Sequence, residues 1–173
     1  MLKRLLRPRA ADQTGEALYG LVAAQARRPE FYTRLGVADR IDARFELYTL
    51  HVLLLVLRLR AEGEAGAEIG QALFDAYVSS LDNVLRELGV GDVAVGKKMR
   101  KLGEALYGRM TAYEGPLRTG DETIMAEALG RNVYEDAGID AAPLARYALA
   151  CRDRLAHQPV QAVIAAPDWA ELV

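Results

Sequence analysis

The chain has 173 residues, 51% of them apolar and 27% charged, which is the length of one domain with enough apolar material for a sizeable core. Cys151 is the only cysteine and His51 and His157 the only histidines, so an intramolecular disulfide is excluded and a zinc-type cluster is not expected. With 22 basic against 24 acidic side chains the net charge is -2, which argues against DNA binding and against a polybasic membrane anchor, and leaves only local charged contacts.

Residues 1–13 read as a flexible basic N-terminus, with Lys3, Arg4, Arg7 and Arg9 and a break at Pro8. No apolar stretch of the kind found in signal peptides follows, so export is disfavoured. The longest apolar run, Val52 to Leu57, is six residues, whereas a helix crossing a bilayer needs about 20. A cytoplasmic protein is expected, peripheral to a membrane at most.

Residues 14–173 read as a single all-α domain, a compact multi-helix bundle with a central apolar helix. Alanine and leucine supply 54 residues against 24 for valine, isoleucine and threonine, a ratio that favours helix over strand. The first helix is expected from Thr14 to Arg28, with Leu18, Leu21 and Val22 on one face and Pro29 ending it. A short turn of helix over Glu30 to Leu35 should stop at Gly36. Asp42 is placed to cap the next helix, which runs to about Glu62 and is apolar around most of its circumference, as suits a helix at the centre of a bundle.

Ile69, Leu73, Ala76, Leu81, Val84, Leu85 and Leu88 recur at three- and four-residue steps and mark an amphipathic helix closed by Gly89 in a left-handed cap. Asp92 should cap the following helix, whose Val95, Met99, Leu102, Leu106, Met110 and Tyr113 share one narrow face and which should finish before Pro116. Helices over Asp121 to about Ala137 and Pro143 to about His157, and a short one near Val160, complete the chain.

Three of the four lysines, Lys97, Lys98 and Lys101, stand beside Arg100, and helical projection puts Lys97, Arg100 and Lys101 opposite the apolar face with Lys98 and Arg109 at its flank. One reading is a docking surface for an anionic partner such as ribosomal RNA, lipid headgroups or an acidic protein; the other is an ordinary solvated face. Residues 61–92 hold seven acids and one base and residues 93–119 six bases and two acids, so two adjacent helices carry opposite charge.

Arg44, His51 and Arg58 are spaced by seven and seven, which aligns them as one polar stripe on the central helix. His51 is then either a hydrogen-bonded core residue or part of a partner groove, and flanking arginines would disfavour its protonation. Asp39 and Asp42 are accounted for by capping and a local ion pair. Asn132 is either a buried hydrogen-bonding residue or a recognition group. Cys151 lies on the apolar side of its helix and should behave as a small hydrophobe, and Trp169 should clamp the tail to the bundle. The turn at Gly89-Val90-Gly91-Asp92 lacks a phosphate-loop fingerprint. An enzyme acting on isoprenoid or quinone precursors would need clustered aspartates for magnesium, which the sequence lacks.

Several segments in order carry a resemblance: Ala24-Gln25-Ala26-Arg27-Arg28-Pro29-Glu30-Phe31-Tyr32, Gly36-Val37-Ala38-Asp39, Asp42-Ala43-Arg44-Phe45-Glu46-Leu47 with His51 following, Leu85-Arg86-Glu87-Leu88-Gly89-Val90-Gly91-Asp92, Val95-Gly96-Lys97-Lys98-Met99 and Tyr107-Gly108-Arg109. From Leu18 to about Tyr113, and more weakly through Leu129-Gly130-Arg131-Asn132-Val133-Tyr134, the chain resembles the ubiquinol-cytochrome c chaperone family, Cbp3-like assembly factors of the cytochrome bc1 complex. The resemblance implies an all-helical, non-enzymatic chaperone without cofactor or metal that holds newly made cytochrome b. It also implies a small partner subunit and ribosome contact in mitochondrial relatives. The short basic start fits a bacterial member, placed in the cytoplasm or peripherally at the inner membrane. The partner-contacting residues expected on this reading are Lys97, Lys98, Arg100, Lys101, Arg109, Arg44, His51 and Arg58, and a ribosome- or RNA-binding adaptor using the lysine face is the competing reading.

Overall fold

The leucine- and valine-rich segment from Leu50 to Leu59, interrupted by His51 and Arg58, forms the axis of the fold. In the computed structural model, which describes residues 10–87, 89, 92–134 and 138–172, helix α3 (Ile41–Arg60) places Leu47, Leu50, Leu55 and Leu59 wholly out of water and buries His51 among them. Each such leucine contributes about 1.5–3 kcal/mol relative to an exposed one, which makes α3 the element the others pack on.

Around it run α1 (Ala10–Ala26), α2 (Glu30–Thr33), α4 (Gly63–Glu87), α5 (Asp92–Thr119), α6 (Glu122–Val133), α7 (Ala142–His157) and α8 (Val160–Ala165), with no strand among the described residues. Helices α1 and α4 make the most extensive pairing, α4 also lies along α3, and α6, α7 and α5 close the other side. The α1–α4 approach is set by Gly15: a Cβ there would stand 2.4 Å from the Ala72 carbonyl carbon, so only glycine lets the two backbones meet.

Several expected boundaries move. Helix α1 starts at Ala10 rather than Thr14, and the Thr14 hydroxyl donates to the Ala10 carbonyl from inside the helix. The basic residues Lys3, Arg4, Arg7 and Arg9 lie outside the described residues. Arg40, not Asp42, occupies the N-cap of α3 without a side-chain cap bond; Asp42 sits exposed in the first turn, where a carboxylate still complements the helix dipole. Gly89 does adopt the left-handed conformation, at φ 75°. The capping role expected of the Asp92 side chain, the burial of Leu88 and the loop residues Val90 and Gly91 lie outside the described residues.

Helix α5 runs through Pro116 to Thr119. Proline there forfeits a single backbone bond in the last turn, and its buried ring and carbonyl, which accepts from the Gly120 and Asp121 amides, keep the turn intact. Helix α6 stops at Val133, short of the expected Ala137, because Tyr134 turns to an extended conformation and sends its hydroxyl to the Leu35 carbonyl at 2.8 Å. The first-turn proline of α7 stands as expected, and Asp121, expected as the first residue of α6, is instead its N-cap, accepting from the Ile124 amide.

Candidate interaction surfaces

Helix α5 leaves the bundle along its N-terminal half. Val95 and Leu106 are buried, yet Lys97, Lys98, Arg100 and Lys101 are all exposed and have no ion-pair partner among the described residues. Tyr107, two turns beyond Arg100 on the same face, is 75% exposed. The neighbouring half of α4 is equally open, with Val84 exposed and Leu81 and Leu85 only half-buried, so the amphipathic face predicted for α4 outruns the bundle that covers it. Among the described residues Arg86 pairs with Asp82 within α4, and Arg109 pairs with Glu46 of α3 rather than with α4.

Arg109 does not belong to the basic face. Its guanidinium donates from Nε at 3.0 Å to both oxygens of Glu46 and from Nη2 at 2.6 Å to one of them, a forked pair that ties α5 to α3. Burial holds the Glu46 carboxyl above its ordinary range, with Arg109 opposing that shift, and the carboxylate in turn raises the Arg109 pKa. In the sequence Glu46 figures only within the segment Asp42 to Leu47 and is given no role, because nothing local marks a partner 63 positions away.

The Arg44, His51 and Arg58 stripe keeps its alignment on α3, but other elements roof its middle. Arg44 is exposed, paired with Asp39 at 2.6 Å, and lies over the Tyr32 ring. His51 is 0% exposed, bracketed by Phe31, Tyr147 and Trp169. Its Nδ1 lies 2.7 Å from the Leu47 carbonyl, which can only accept, so Nδ1 carries the proton and Nε2 accepts from the Tyr147 hydroxyl at 2.7 Å. Tyr147 accepts in turn from the Gln25 amide. Burial lowers the His51 pKa to about 4, opposed by the Leu47 bond; the flanking arginines expected to do this are not the cause. Arg58 donates to the Leu155 and Gln158 carbonyls and pairs with Glu62, capping the end of α7.

Trp169 holds the tail against His51, and the Ala170 amide reaches the Cys151 sulfur at 3.3 Å. Cys151 is buried and its thiol pushed up to about 11 by burial, the behaviour of a small hydrophobe. Asn132 is half-buried, and its amide donates to the Ala128 carbonyl of its own helix. Among the described residues no group of His, Cys, Asp and Glu is placed to hold a metal ion, and no helix is long and apolar enough to cross a membrane.

A feature with no local signature in the sequence is a half-open groove of about 520 Å3 between α3, α5 and α7. Leu54, Leu57, Ala61, Leu117 and Ala156 line it, and Arg58, Arg60, Arg118 and Arg152 surround it with Glu114 the one carboxylate. These residues come from three helices with no common spacing.

The sequence profile of the family described as Ubiquinol-cytochrome C chaperone matches residues 33–169, from the end of α2 to the docked tail. The chain belongs to the ubiquinol-cytochrome c chaperone family. As a member of it, the chain is similar over 99% of its length to the crystal structure of the Cbp3 homolog from Brucella abortus, covering 98% of that chain at 33% identity with a TM-score of 0.84. It is also 25% identical over 104 residues to the Ubiquinol-cytochrome-c reductase complex assembly factor 1 of Xenopus laevis. That alignment spans 60% of this chain and 52% of the frog protein, about half its length. The family profile includes both the helix that carries the lysine face and the three helices around the groove.

Proposed function

We propose that this chain is an assembly chaperone of the cytochrome bc1 complex that binds newly synthesised cytochrome b without catalysing a reaction on it. Support comes first from the family match across residues 33–169, which covers nearly the whole bundle. The observation that carries the reading on this chain is the open half of α5, where four cations stand without an ion-pair partner among the described residues, beside exposed apolar side chains of α4 and α5. A holding factor needs this mixture, because apolar contact supplies affinity for an unassembled membrane subunit while hydrated charges at the rim keep release possible.

On this reading Lys97, Lys98, Arg100 and Lys101 contact the client or the machinery that delivers it, with Arg44 a lesser contributor. Arg58, Arg109 and His51 support the fold that presents them. Deleting the gene should lower assembled bc1 complex and haem b absorbance and leave unrelated oxidases intact. Photocrosslinkers at Lys97 and Lys101 should attach to cytochrome b. Normal bc1 maturation in the deletion strain would remove the proposal, and crosslinks confined to ribosomal RNA would replace the client with a ribosomal dock.

A further inference from the structure

We propose that the groove between α3, α5 and α7 seats an apolar helical segment of the partner that carries a carboxylate. Leu54, Leu57, Ala61, Leu117 and Ala156 give the groove an apolar floor, and its volume of about 520 Å3 falls in the range of about 300–1,000 Å3 typical of ligand sites. The charge around it is what names the occupant. Arg58 is committed to the Leu155 and Gln158 carbonyls and to Glu62, and Arg152 to the Leu117 carbonyl and Asp153. Arg60 and Arg118 are exposed and have no ion-pair partner among the described residues, and the Nε of Arg152 is buried without a hydrogen-bond partner. Glu114, exposed one helical turn before Arg118, opposes them, but the four arginines around the groove outnumber it.

Guanidinium is weakly hydrated and matches a carboxylate with two parallel bonds, so an acidic side chain set among apolar ones would find both floor and rim complementary. Both free arginines also sit in the last turns of their helices, where the dipole favours a cation; that role needs no ligand and sets the alternative to be tested. Because the cations come from three different helices and the groove is open along one side, the shape suits a helix laid into it better than a single acyl tail with one charged head.

The identity of the occupant as a client segment rests on the chaperone reading; the groove's selectivity does not. The direct test uses the full chain and a dye-labelled leucine- and alanine-rich peptide of about five helical turns bearing two glutamates, with glutamine and lysine counterparts. Fluorescence anisotropy should show the glutamate peptide binding about tenfold or more tighter than the glutamine one, and Arg60→Glu with Arg118→Glu should reverse the preference toward the lysine peptide. Reversal in itself reports a folded groove. Equal affinity for the three peptides, indifference to the double substitution, or binding of palmitate with no peptide binding would each overturn the proposal. In cells the same double variant should assemble less bc1 complex than wild type. Full assembly by the variant in a strain where deletion abolishes it would sink the groove as the client seat and leave the chaperone function standing, whereas full assembly without the gene would sink the chaperone function.

Discussion

His51 couples the interior of the bundle to pH. Its pKa is lowered from 6.5 to about 4 by burial, so in the native state it stays neutral while in the unfolded chain it takes a proton near pH 6.5. The stability this neutral residue supports is fully present above pH 6.5 and is lost as pH falls toward 4. Between pH 7.5 and 5 the loss attributable to this residue should be about 2 kcal/mol. Urea unfolding of wild type and His51→Gln at the two pH values should show the extra slope in wild type alone. Two buried tyrosines should respond unequally to loss of the hydroxyl. Tyr147→Phe strands His51 Nε2 and the Gln25 amide and should cost about 1–3 kcal/mol, whereas the Tyr113 hydroxyl makes no well-formed hydrogen bond among the described residues and has the Asn132 side chain as a polar neighbour, so Tyr113→Phe should cost under about 1 kcal/mol. Midpoints of chemical denaturation rank the two.

At the scale of elements, two contacts decide how helices sit. Gly15 admits the Ala72 backbone of α4 against α1, and Gly15→Ala should force the pair apart at about 1–3 kcal/mol, read as a lower midpoint in thermal or urea unfolding. The forked pair of Arg109 with Glu46 fixes α5 on α3. Arg109→Ala leaves a buried carboxylate without its counter-charge and should destabilise by about 3 kcal/mol. Arg109→Ala together with Glu46→Gln should recover part of that loss, because the stranded charge is gone. Helix α4 shows the limit of pattern at this scale: the apolar repeat runs in sequence to Leu88, yet within α4 the bundle covers only the first part, and Val84 remains exposed.

For the whole molecule, the open half of α5 predicts a separation of stability from function. Reversing Lys97, Lys98 and Lys101 to glutamate should leave unfolding within about 0.5 kcal/mol per site of wild type, since these side chains are exposed and unpaired among the described residues. On the chaperone reading the same variant should yield less assembled complex, measured as bc1 complex on native gels. A variant that lost stability as well would place these lysines in the fold after all.

Much of the architecture was legible before any coordinates. The helix order, the central position of α3, the start of α6 beside Asp121, the left-handed Gly89 and the inward side of Cys151 all follow from periodicity and capping, which act over a few residues and can be read where they stand. Tertiary structure alone decided the fate of the polar residues. Arg109 sat with the cations of a basic helix until Glu46, 63 positions away, claimed it; His51 and Arg58 shared a stripe with Arg44 until α7, 96 and 97 positions on, packed over them. The arginine-rimmed groove exists only where three helices converge. The sequence by itself therefore determined which segments are helical and which faces are apolar, because those depend on neighbours along the chain. Which charges remain on the outside depends on the rotation and crossing of packed helices, and a hydrophobic stripe leaves both of those free until the helices meet.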